Sequence, residues 1–185
     1  MTTQVVLGHD RYLMVLTLHV LDGVAVVRAD RPLECELGPL LEVLPVVASR
    51  GAGVLHGCFL PASGPREVAL APRRQVAAQR ALLVRVCASL AASGVPLIAA
   101  VDGHAGGSGW ELASACGSRV LAEEAVVVGV SGGRVLTGRA VDARAALRTG
   151  LVDRVAPAWR VVLDAIELAA ERQHRPQPRA CRTNV

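Results

Sequence analysis

Hydrophobic and polar positions change period along the chain, and each change predicts an element. From Leu13 to Arg28, β-branched and aliphatic residues alternate around Asp22-Gly23, a pair that favours a two-residue hairpin turn, so the chain is predicted to open with a β-hairpin. Leu37 to Val47 carries apolar residues at helical spacing, Gly51-Ala52-Gly53 breaks it, and Gly53-Val54-Leu55 begins a short buried strand. Between Leu60 and Pro72 stand Pro61, Gly64, Pro65 and Pro72, too many breakers for regular structure, so a loop is predicted at that strand's end. Arg73 to Ala92 gives the strongest helical signal. Val76, Leu82, Leu83, Val86 and Leu90 fall on one side, Arg73, Arg74, Arg80 and Arg85 elsewhere, and Gly94 is the stop.

Val95 to Val101 is a continuous apolar run, as suits a strand buried on both faces. It ends in Asp102-Gly103-His104-Ala105-Gly106-Gly107-Ser108-Gly109-Trp110-Glu111-Leu112-Ala113, where a glycine-dense turn passes straight into a helix. Strands over Arg119–Leu121 and 125–130 follow, with a glycine break at Gly132-Gly133. A helix from Asp142 to Arg148 comes after a start signal at Thr137-Gly138 and stops at Gly150. Leu151 to Val155 reads as a short strand or edge, and Trp159 to Arg172 as a last amphipathic helix. No internal repeat is present. The predicted class is α/β.

Composition narrows the chemistry. A chain of 185 residues suits one domain, taken here as residues 1–172 with a flexible Arg/Pro-containing tail at 173–185. No apolar run approaches the ~20 residues that span a bilayer, and the first residues lack the pattern of a secretory signal, so a cytoplasmic protein is expected. All of the basic charge behind the net +4 is arginine. Without lysine, Schiff-base and lysine-base mechanisms are excluded. Aromatics at 2% argue against a nucleic-acid surface, which needs stacking platforms. Arginines suit phosphates of a ligand such as coenzyme A, or simply a solvated surface. Five scattered cysteines and five dispersed histidines show no metal-ligand spacing, so no metal and no resident cofactor are expected.

The strand, glycine turn and helix aim successive backbone N–H groups at one point, where the helix dipole adds positive potential. Such a turn suits a phosphate or a transient oxyanion. It carries no Gly-Lys-Ser/Thr, and its glycine order is not that of a Rossmann turn. Close packing of helix on strand would explain the glycines equally well.

Pro96 to Ala113 resembles, in order and without a gap, the crotonase pattern "PVIAAVNGYALGGGCELA". Leu136 to Val155 is similar to that family's "LTGRRISAEEALRWGLVNRVV", and Asp22 to Pro32 to its "DGVATITLNRP". The chain thus resembles a shortened member of the crotonase (enoyl-CoA hydratase/isomerase) superfamily. The resemblance implies a β-β-α superhelix, truncated in the middle and at the C-terminus, and an acyl-CoA or carrier-bound acyl thioester as substrate. It implies assembly as a trimer or hexamer, or with a biosynthetic partner; composition already argues against nucleic acid and membrane as partners. It implies an oxyanion hole made by the main-chain N–H of Ser108 and a second donor in Cys58 to Pro65, at Ser63 or Gly64, since prolines have no N–H to give. Ala62, Gly107, Gly109 and Trp110 would line the pocket, and Glu111 falls on the family's acid/base glutamate. By its position alone Glu111 is also explained as a dipole-complementing residue, and Trp110 as core.

Two departures shape the expected reaction. The second glutamate, in the family's "FGxPE" segment, has no counterpart in Val127 to Gly133, and the loop that normally follows is missing. A hole with one acid suits dehydration, isomerisation or decarboxylation through an enolate better than hydration. An enzyme of this kind, in a specialised biosynthetic pathway for instance, is one expectation. The other is a non-catalytic helper of the same fold that stimulates a partner such as a polyketide-type synthase.

Overall fold

The computed structural model describes residues 16–60, 72–128 and 140–174. The hairpin forms first in the chain: β1 (Leu16–Leu21) pairs antiparallel with β2 (Val24–Pro32), joining Leu16 to Ala29 and Leu21 to Val24. Asp22 and Gly23 both take positive φ, 50° and 81°, the backbone a two-residue turn between right-twisted strands demands. A 3-10 turn at Leu33–Glu36 leads into α1 (Leu37–Ser49), whose Leu37, Leu40, Val43, Leu44 and Val47 are buried at the predicted spacing.

Parallel strands then accumulate in a six-stranded sheet of order β1-β2-β3-β4-β6-β9. β3 (Gly53–Cys58) lies beside β2, and α2 (Arg73–Ala91) connects it to β4 (Leu97–Val101), every residue of which is buried. β6 (Ser118–Ala122) and β9 (Arg154–Ala156) extend the sheet on the far side of β4. The final helix α5 (Val161–His174) packs across β3, β4 and β6. Its first predicted turn is instead a 3-10 turn at Ala158–Arg160, on which Trp159 is largely exposed.

The glycine turn belongs to a second, three-stranded sheet of order β5-β7-β8. β5 is Ala105–Gly106, β7 Val126–Val128 and β8 Val141–Asp142. Strands of two or three residues carry no period, so β8 had no signature in the pattern of side chains. Helix α3 (Gly107–Ala115) leaves β5 directly, and α4 (Ala143–Arg148) leaves β8. α4 begins where the sequence places it: Asp142 is the cap, its Oδ1 accepting the Ala145 N–H at 2.7 Å, and Thr137-Gly138 falls outside the described residues. The apparent deletion after Val130 and the tail from 175 also lie outside them.

One acid is buried in this frame. Glu36 is 1% exposed, its Oε2 has no hydrogen-bond partner among the described residues, and burial holds its carboxyl above the usual glutamate range despite the opposing charge of Arg31. A raised folded value means the unfolded chain ionises first, so stability falls as pH climbs from about 4.3, the ordinary glutamate value, towards the raised one. Glu36→Gln is expected to flatten that limb in urea melts run from pH 4 upwards.

Candidate active site

The turn between β4 and α3 is fixed by contacts only glycine allows. A Cβ on Gly109 would sit 1.7 Å from the Phe59 carbonyl oxygen, and one on Gly106 would sit 2.6 Å from that of Val128. The Gly106 N–H donates to the same Phe59 oxygen at 3.1 Å, and Phe59 bridges to Ala105. The backbone leaving β3 is thereby clamped to the first turn of α3. Gly107 enters the helix at φ 51°, where a side chain would be strained.

Four N–H groups at a helix start lack intrahelical acceptors. That of Gly106 is taken by Phe59, and those of Ser108 and Gly109 stand at the positive end of the helix dipole, with no side-chain cap at Gly106. Ser108 is half-buried. A carbonyl oxygen gaining negative charge at this point would meet oriented donors that need no reorganisation.

Glu111 stands one turn further along α3, three residues from Ser108 and therefore on the same side of the helix. Its Oε2 accepts from Arg80 Nη1 of α2 at 2.6 Å. The hydrogen bond and charge of Glu111 raise the Arg80 guanidinium above its ordinary value. Cys87, on the same helix, has its thiol pushed up by burial and then by the Glu111 charge, which leaves it protonated and poorly suited to nucleophilic attack. Cys116, fully buried, is pushed up to about 12. Native protein treated with iodoacetamide at pH 7.5 is expected to be alkylated at the exposed Cys58 and spared at Cys116, as peptide mass mapping would show.

A second pair of titratable groups joins the ends of β3 and β4. His56 Nε2 lies 3.0 Å from Asp102 Oδ2, and Arg28, in register with His56 on β2, adds positive charge. The His56 hydrogen bond comes first among the causes that hold the Asp102 carboxyl below the usual range. The stability it contributes is complete above about pH 4, the ordinary aspartate value, and is lost as pH falls through the lowered one. Asp102→Asn should remove that acid limb in melts between pH 2 and 4.5.

The structure thus gathers Gly107, Ser108, Gly109 and Glu111 on one helix start. Trp110, from the same turn, is buried in the core at 5% exposure. Ala62, Ser63 and Gly64 lie outside the described residues, which end at Leu60 on that side. Arg80 and the His56–Asp102 pair were not among the predicted site residues. Arg80 reads in sequence as one of several helix arginines, and nothing in sequence shows that β3 and β4 are neighbours. A groove of about 760 Å³ lined by Leu90, Pro96, Cys116, Ser118, Arg119 and Arg172 opens at the other end of β4 and β6, away from the glycine turn. Among the described residues there is no group of three or more metal-ligating side chains, and no helix is long and apolar enough to cross a membrane.

No family model matches the chain. Solved structures do resemble it. The enoyl-CoA hydratase of Bacillus anthracis superposes with a TM-score of 0.72 at 23% identity, over 84% of this chain and 75% of that one. A monofunctional enoyl-CoA isomerase from M. smegmatis gives 0.67 at 28% identity, over 88% and 87%. DspI of Pseudomonas aeruginosa gives 0.76 at 21% identity, over 91% and 84%. The parallel sheet, the clamped glycine turn and these likenesses define one class: the chain has the fold of the crotonase (enoyl-CoA hydratase/isomerase) superfamily.

Proposed function

We propose that the protein is a crotonase-like enzyme that binds an acyl thioester with its carbonyl oxygen at the N-terminus of α3 and stabilises the derived enolate there. The observation that carries this reading is the first turn of α3, whose Ser108 N–H is oriented by the Phe59–Gly109 contact and lies one turn from Glu111. The N–H groups at the start of α3 and the helix dipole favour the oxygen most when it is charged, which accelerates the chemical step rather than only binding. A second donor from Ser63 or Gly64 would complete the hole.

Glu111 is the proton-transferring group in this account. Its carboxylate, held by Arg80, acts first as the base. It takes the proton next to the thioester carbonyl and returns it at another carbon. A single carboxylate performs isomerisation in this way, carrying the proton from one carbon to another, whereas adding or eliminating water calls for a second group to hold it, and no carboxylate occurs between Val127 and Gly133. The substrate is presented on coenzyme A or a carrier protein, and the protein works as a homo-oligomer or beside a biosynthetic partner.

A helper without turnover is the competing reading, and the Arg80–Glu111 pair favours it to the extent that a neutralised acid is relieved of proton transfer. Thermal melts with saturating acyl-CoA thioesters test the enzyme reading, because a ligand bound only by the folded state raises Tm. A shift with a thioester and none with free coenzyme A supports it. No shift with any thioester counts against an acyl-CoA substrate and sends the search to carrier-bound ones.

A further inference from the structure

The Arg80–Glu111 contact is more specific than a bridge between two packed helices requires. Nη1 of Arg80 meets Glu111 Oε2 at 2.6 Å, with 18% of the Glu111 side chain exposed. Arg80 itself is 56% exposed. A guanidinium has five N–H donors in a planar fork, so one bond to Glu111 leaves donors of this exposed side chain for a further partner. A carboxylate has the geometry to dock on a guanidinium edge through two parallel hydrogen bonds.

The location gives that edge a role. Glu111 shares a side of α3 with Ser108, at the ~5–6 Å Cβ separation of residues three apart. A thioester oxygen at the Ser108 N–H therefore places its acyl group beside the carboxylate that holds Arg80. We infer that Arg80 is a specificity-determining residue and that the substrate is an acyl thioester carrying a carboxylate on its acyl chain. Glu111 aims the guanidinium, and the guanidinium grips the substrate's carboxylate. This inference rests on the thioester reading of the site and adds the substrate class to it.

The test is calorimetric titration of the whole chain with butyryl-CoA and succinyl-CoA, which have four-carbon acyl chains and differ in a terminal carboxylate. The wild type is expected to bind succinyl-CoA about tenfold more tightly, the scale of a hydrogen bond to a charged group. Arg80→Gln is expected to erase the preference, the two thioesters then binding with equal affinity. Equal binding of the two by the wild type, or a preference that survives in Arg80→Gln, would overturn the inference and leave the thioester site standing. Binding of neither thioester would remove the thioester reading and this inference with it. Should Arg80→Gln fail to fold by circular dichroism, Arg80→Lys replaces it: the charge remains and the fork is lost, so a reduced preference supports the inference and an undiminished one overturns it.

Discussion

Gly109→Ala is expected to cost the protein more activity than any other single added methyl group. The new Cβ would fall 1.7 Å from the Phe59 carbonyl oxygen, a backbone atom that cannot swing aside as a side chain can. Either the start of α3 or the chain leaving β3 has to move. Overpacking of this kind costs about 1–3 kcal/mol of stability. The displaced N–H of Ser108 would cost about 10²–10³ in kcat, the scale of losing one oxyanion donor. Gly109→Val should unfold the turn altogether. Urea melts and turnover on the same samples separate the two effects. A Gly109→Ala protein with wild-type stability and wild-type turnover would show that the α3 start and the Phe59 strand are not clamped as described.

Glu111→Gln should lower kcat by about 10²–10⁴, the range of a lost general acid–base group, while acyl-thioester affinity changes little. The amide keeps a hydrogen-bond acceptor for Arg80 and the shape of the side chain, so the loss reports proton transfer rather than packing. The helper reading predicts the opposite pattern: Glu111→Gln would leave stimulation of the partner intact. Turnover with a productive thioester, measured for both proteins alongside thioester affinity, distinguishes them. Retention of full kcat in Glu111→Gln would remove Glu111 from the mechanism.

Much of this architecture was legible in the sequence because it rests on long periodic segments. The α1 and α2 boundaries follow from apolar spacing and glycine stops, and β4 from an unbroken apolar run that turned out buried throughout. The hairpin followed from Asp22-Gly23, since few other pairs accept positive φ at both positions. The glycine turn was legible as a strand-to-helix turn, and its order of residues as crotonase-like, because glycines at Gly106, Gly107 and Gly109 each answer a separate constraint: a neighbouring carbonyl, a positive φ and a second carbonyl.

What stayed hidden depended on pairing between distant residues. β8 is two residues long and exists because Val141 and Asp142 lie beside β7. Arg80 touches Glu111 across 31 positions, and His56 touches Asp102 across 46. Neither pairing leaves a local signature, so the charge environment of the candidate base emerged only with the packing of α2 on α3.

The central claim is that the α3 N-terminus polarises a thioester carbonyl. Infrared difference spectroscopy of an acyl-CoA labelled with ¹³C at the thioester carbonyl, bound to the protein under saturation, measures that polarisation directly. The account predicts a carbonyl stretch shifted to lower frequency on binding, with the shift diminished in Gly109→Ala. A bound thioester whose carbonyl absorbs where it does in water would contradict the account, because the oxygen would then lie away from the Ser108 N–H.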